Sequence, residues 1–135
     1  TNLPVKQAQA GDLLAPATVL IAPPNYHLLV NTDGSISLTQ TELVHFVRPS
    51  ADLLFESVAG SYKERVIGVV LTGTGSDGSM GVQAINQMGG TVIAEDPETA
   101  EYSGMPSAAI KTKCVDFILS LDEIPSALIS LVSQD

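Results

Sequence analysis

Apolar positions in this chain fall into short runs separated by polar turns, and the runs alternate between two periodicities. The clearest is Val66-Ile67-Gly68-Val69-Val70-Leu71, apolar or Gly throughout and rich in β-branched side chains. Such a run predicts a strand buried on both faces, as in a parallel sheet. A turn with glycines at 73, 75 and 78 follows. Next comes a helical pattern over 79–88 with Met80, Ala84 and Met88 on one face, stopped by Gly89-Gly90.

The same reading extends along the rest of the chain. Residues 1–11 are polar and aperiodic and read as a strand or loop cut from something longer. Thr18–Ala22 predicts a strand closed by Pro23-Pro24. Tyr26–Val30 and Ser35–Leu38 predict a hairpin around Asn31-Thr32-Asp33-Gly34, whose Asp-Gly is a strong turn signal. Residues 41–51 read as a loop, and Ser50 or Asp52 as the cap of a helix to Tyr62 with Leu53, Leu54, Val58 and Tyr62 inward. Thr91–Ala94 and Val115–Leu119 predict strands, with an acidic loop at 95–101 and a helix from Pro106 to Lys113 between them. A last helix is capped by Asp122. The alternation predicts an α/β fold: a doubly wound parallel sheet with helices on both faces and an antiparallel β-hairpin at its front, a single domain over 1–135.

Composition narrows the partners. A net charge of −9 argues against a nucleic-acid surface or an anionic lipid surface, because both need clustered Lys and Arg. The single Cys114 excludes an internal disulfide and a cysteine-based metal site, which fits a reducing compartment. No apolar run approaches the roughly 20 residues that span a bilayer. The expectation is a cytoplasmic domain without membrane insertion.

The glycine turn is open to two kinds of chemistry. Gly73-Thr74-Gly75-Ser76-Asp77-Gly78 fits G-x-G-x-x-G, and Glu95-Asp96 stand near the acidic position expected about 20 residues on. Yet Asp77 would face the pyrophosphate, and no Lys or Arg lies between 66 and 110 to offset it. Two like charges about 4 Å apart cost on the order of 4 kcal/mol at an effective dielectric of 20. The other reading makes Asp77 a carboxylate that orients a histidine base. Its bland counterpart is a helix N-cap, with the glycines serving turn geometry alone. His27 and His45 are the histidines, each more often structural than catalytic, and Ser76 and Ser79 flank Asp77 as turn or cap residues. No G-x-S-x-G elbow occurs, and two histidines far apart make no metal motif.

Longer stretches carry a resemblance. Thr72-Gly73-Thr74-Gly75-Ser76-Asp77-Gly78, then Gly81, Gly89-Gly90, Glu95-Asp96 and Gly104-Met105-Pro106-Ser107-Ala108-Ala109 look like the chemotaxis protein-glutamate methylesterase catalytic domain. Pro16 to His27 and Arg48-Pro49-Ser50-Ala51-Asp52-Leu53-Leu54-Phe55 match the same family, and the similarity runs from about residue 10 to 132. It implies a hydrolase of glutamate γ-methyl esters, and a deamidase of glutamines, on the cytoplasmic helices of methylated chemoreceptors. The implied chemistry is that of a Ser-His-Asp triad without a cofactor or metal. Asp77 matches the triad aspartate, and the backbone at Thr74 and Gly75 matches the oxyanion and substrate site. Many members carry Met where this chain has Thr74, a change that leaves the backbone amide in place.

The family's serine and histidine lie in an N-terminal segment that these residues do not match, and His27 does not match the triad histidine. The expectation is therefore that this chain alone is inactive, with a non-catalytic receptor-binding module as the alternative and a nucleotide-binding module as a remote one. A receiver domain upstream is a further expectation, since family members often carry one. Removing the first strands of such a sheet would expose an edge and an apolar face, which invites association.

Overall fold

The computed structural model describes residues 2–44 and 47–133. Short strands β1 (Val5–Gln7) and β2 (Val19–Ile21) pair in parallel, and β3 (His27–Val30) and β4 (Ile36–Thr39) form the antiparallel hairpin expected around Asp33-Gly34. Helix α1 (Ala51–Tyr62) leads through a 3₁₀ turn (Lys63–Arg65) into β5 (Ile67–Val70). Helix α2 (Ser79–Gln87), strand β6 (Thr91–Glu95), helix α3 (Gly104–Lys111) and strand β7 (Phe117–Leu119) follow, and β5, β6 and β7 form a parallel sheet in that order. A second 3₁₀ turn (Leu121–Glu123) opens into α4 (Ile124–Val132). The fold is α/β with parallel strands, crossover helices and one antiparallel hairpin.

Several boundaries and faces differ from the sequence reading, each for a physical reason. The strand buried on both faces is β6, whose Val92, Ile93, Ala94 and Glu95 are all buried, because it lies between β5 and β7. At the sheet's edge, β5 alternates, with Gly68 and Val70 buried and Ile67 and Val69 half-buried. Of the two readings of the polar start, strand or loop, residues 5–7 take the strand, held by pairing Val5 with Val19 rather than by a pattern of their own. Helix α3 begins at Gly104, which leaves Pro106 inside the first turn, where its missing N–H costs nothing. Ser120 rather than Asp122 starts the last helical segment: its amide and hydroxyl donate to Glu123 Oε1 at 3.1 and 2.9 Å.

Two apolar clusters hold the molecule together. One gathers Ala59, Val66, Val70, Val82, Ile85, Val92 and Ala109 between the sheet and its helices. The other gathers Ala8, Leu28, Val30 and Ile36 around the hairpin. Helix α1 joins them, since Val58 and Tyr62 pack on both, Phe55 on the first and Leu54 on the second. On α2 the buried face is Gly81, Val82 and Ile85, whereas Met80 and Met88 are exposed. Gly81 explains the shift: a Cβ there would sit 2.5 Å from the Cβ of Phe55, so α1 and α2 approach too closely for a larger face.

Candidate active site

The site forms where the carboxyl end of β5 turns toward α2, the usual place for sites in open α/β sheets. Left-handed backbone is needed at Gly75 (φ 83°) and Gly78 (φ 98°), where a Cβ would be strained. The turn is braced from the end of β6 and the loop after it. Thr72 N donates to Glu95 Oε1 at 3.0 Å, Thr99 Oγ1 donates to Glu95 Oε2 at 3.0 Å, and Tyr102 N donates to Thr72 Oγ1 at 2.7 Å. Gly73 N donates to the Tyr102 carbonyl, and the Gly73 carbonyl accepts from Met105 N, both at 2.9 Å.

Asp77 is half-buried, and its carboxylate lies at the amino end of α1. Oδ1 accepts from Ser50 Oγ at 2.9 Å and Asp52 N at 3.1 Å, and Oδ2 accepts from Ala51 N at 2.7 Å. The Ala51 and Asp52 amides are first-turn donors without helical partners, and the helix end's partial positive charge attracts an anion. The bland reading of Asp77 as an N-cap therefore holds in altered form: it caps α1, not the helix that follows it. Three donors leave one of the carboxylate's roughly four acceptor positions open.

Asp52 is the mirror image. Expected as a cap of α1, it is buried, and its Oδ1 accepts from Gly78 N at 2.9 Å and Gly81 N at 2.8 Å. It thus caps α2, whose own N-cap position is Gly78 and has no side chain. This occupancy removes the physical basis of the nucleotide reading, because amides that would meet a pyrophosphate are already filled by a buried carboxylate. The acids after β6 are likewise used locally, Glu95 as the brace above and Asp96 Oδ1 as acceptor from Glu98 N at 2.9 Å.

Thr74 and Gly75 are exposed on the same turn, and no described residue accepts a hydrogen bond from either amide. A Cβ on Gly75 would meet nothing within 4 Å, so the turn faces open space there. Ser76 is exposed and Ser79 half-buried.

His27 is fully buried, with both ring nitrogens engaged by main chain. Nδ1 accepts from Ser50 N at 3.2 Å, which assigns the proton to Nε2, the donor to the Glu42 carbonyl at 3.0 Å. Ser50 links His27 to Asp77, but it is buried and its hydroxyl donates to the carboxylate, not to a histidine. Neither residue is therefore placed as an attacking pair. His45 lies outside the described residues.

The resemblance named Asp77, Thr74 and Gly75 as candidates, and they lie on one turn. Sequence reasoning missed Ser50 and Glu95 as supports of that turn and assigned Asp52 to the wrong helix. The spacing of Asp52 from its helix start satisfies a local capping rule. Nothing local signals that it reaches across to Gly78.

The chain is an α/β domain that fixes a carboxylate on a glycine turn at the carboxyl end of a parallel strand. Residues 1–128 match the profile of the CheB methylesterase family, and the chain belongs to that family. A protein of Leptospira interrogans called a putative protein-glutamate methylesterase/protein-glutamine glutaminase is 42% identical over 130 residues, covering 96% of this chain and 67% of its own length. The protein-glutamate methylesterase/protein-glutamine glutaminase of Symbiobacterium thermophilum is 41% identical over 130 residues, covering 96% of this chain but only 36% of that protein. The crystal structure of the Thermotoga maritima CheB methylesterase catalytic domain superposes with a TM-score of 0.89 at 38% identity, over 93% of this chain and 68% of that one. The chain thus spans 36% to 68% of the length of these relatives. Among the described residues, no helix is long and apolar enough to cross a membrane.

Proposed function

We propose that this chain is the aspartate- and oxyanion-bearing part of a cytoplasmic protein-glutamate methylesterase. Its substrates are glutamate γ-methyl esters, and susceptible glutamines, on the cytoplasmic helices of methylated chemoreceptors. The observation that carries the reading is Asp77: a carboxylate fixed by three donors, with one acceptor position left for an imidazole N–H.

In this scheme a serine and a histidine from outside these residues complete the triad. The serine attacks the ester carbonyl as the histidine takes its proton, and Asp77 holds the imidazole in the productive tautomer. The amides of Thr74 and Gly75 bind the developing oxyanion. Collapse expels methanol, which receives the imidazolium proton, and water then releases the glutamate. A glutamine would leave ammonia instead. A receiver domain is the proposed neighbour in the longer protein, consistent with relatives of which this stretch is 36%.

The test is methanol release from methylated receptors by the full-length protein. Asp77→Asn keeps the shape of the side chain and removes its charge, and turnover is expected to fall by about 10⁴-fold. Turnover at the wild-type rate in a folded Asp77→Asn protein overturns the assignment. A second reading, a receptor-binding module without activity, is supported by the lack of a serine–histidine attacking pair among the described residues, where Ser50 donates to Asp77 and His27 bonds only to main chain. Under that reading, the full-length protein binds receptor helices but releases no methanol.

A further inference from the structure

We infer that Asp52 is a positioning residue for Asp77, clamping the turn that carries it to the first turn of α1. The inference rests on the reading of Asp77 as the triad aspartate. It starts from a crossed pair of caps. Asp77 on the turn before α2 accepts from the amino end of α1, while Asp52 in the first turn of α1 accepts from the amino end of α2. The two carboxylates are also joined directly through the chain, because the amide of Asp52 is itself a donor to Asp77 Oδ1 at 3.1 Å.

The geometry fixes Asp77 from both sides. Its carboxylate is tied to α1 by Ser50, Ala51 and Asp52, and the next residue, Gly78, is tied to the same helical turn through Asp52 Oδ1 at 2.9 Å. Gly78 is also the left-handed pivot of the turn, with φ 98° and no side chain to hold it. Without Asp52 that pivot loses its anchor, and the carboxylate is free to swing relative to an imidazole. Hydrogen bonds from amides to a carboxylate are about twice as strong as neutral ones, which suits a clamp.

Burial points the same way. Asp52 is 2% exposed, and its Oδ2 meets no hydrogen-bond donor among the described residues. A buried carboxylate with one oxygen unmatched is a costly cap. A serine or asparagine would cap α2 at lower desolvation cost if capping were the whole role.

The test measures methanol release by the full-length protein carrying Asp52→Ala, Asp52→Asn and Asp77→Asn, singly and combined. A misplacement of about 1 Å costs on the order of 10²-fold, so kcat of Asp52→Ala is expected to fall by about that factor with KM within about threefold. Asp52→Asn, which keeps an acceptor in place, falls between this variant and the wild type. Because Asp52 acts through Asp77, adding either Asp52 change to Asp77→Asn lowers single-turnover rates by less than about twofold.

Factors that multiply in the double variants show a structural role and overturn the inference, as does wild-type kcat in folded Asp52→Ala. If Asp52→Ala fails to fold, Asp52→Asn carries the same test: wild-type kcat there overturns the inference. Loss of activity in Asp77→Asn with no loss in the Asp52 variants removes this inference and leaves the proposed function standing. Activity retained in Asp77→Asn removes the proposed function itself.

Discussion

At Gly104 the chain is limited by room. A Cβ there would lie 3.0 Å from both Gly75 N and Gly75 O, and 3.3 Å from Gly73 O. These are backbone atoms of the turn that bears Thr74 and Asp77, so they give way only if the turn moves. Gly104→Ala is therefore expected to lower kcat about 10-fold or more, since sub-ångström shifts of a catalytic group are costly. The accompanying stability loss is about 1–3 kcal/mol, the usual cost of overpacking. Gly73→Ala is the control. Its Cβ would meet Met105 Sδ at 2.5 Å, the flexible end of a side chain that can turn aside. Steady-state methanol release and chemical denaturation of both variants check the pair, and equal kcat losses would contradict it. The sequence placed glycines at both positions without distinguishing them, because contact with a distant backbone leaves no local trace.

Among the elements, α2 shows how far periodicity reaches. Its existence and its stop at Gly89, which takes φ 89°, were legible from spacing and the Gly-Gly pair. Its inner face was not. Of the apolar stripe Met80, Ala84 and Met88 only Ala84 packs on the core, and the fully buried residues are Gly81, Val82 and Ile85. The choice is made by α1, whose Phe55 comes against Gly81, and no property of α2 alone reveals it. The same holds for α1: of Leu53, Leu54, Val58 and Tyr62, all expected inward, the last three pack on the apolar clusters while Leu53 is half-buried and in neither. Asp52 is inside because α2 offers it two amides. Expected stabilities follow the observed face. Ile85→Ala, at 0% exposure, should cost about 2–5 kcal/mol, the range for large-to-small core changes. Met80→Ala, at 54% exposure, should stay within about 0.5 kcal/mol. Urea midpoints measured side by side decide between the faces, and a reversed order would restore the methionine stripe.

Across the whole molecule, apolar surface is distributed unevenly. Strands β1 and β2 form a two-stranded parallel sheet whose Val5, Val19 and Ile21 are exposed. On β7 and α4, Phe117, Ile118, Ile129 and Val132 are exposed as well. Parallel strands are ordinarily covered on both faces, and two strands alone are marginal in water. If the proposed serine and histidine are carried by further chain packed on this sheet, that chain shields the strands, and the 135 residues by themselves do not. The 135-residue chain is then expected to bind a hydrophobic dye and to associate as its concentration rises, while the full-length protein does neither to the same degree. Ile21→Lys sharpens the test, because a charge on an exposed strand blocks edge-to-edge pairing without touching either apolar cluster. Sedimentation velocity should show Ile21→Lys less associated than the parent chain, with unchanged circular dichroism. A parent chain that stays monomeric and dye-free at every concentration would mean that β1 and β2 are stable as they stand. The proposed extra chain would then have to dock elsewhere.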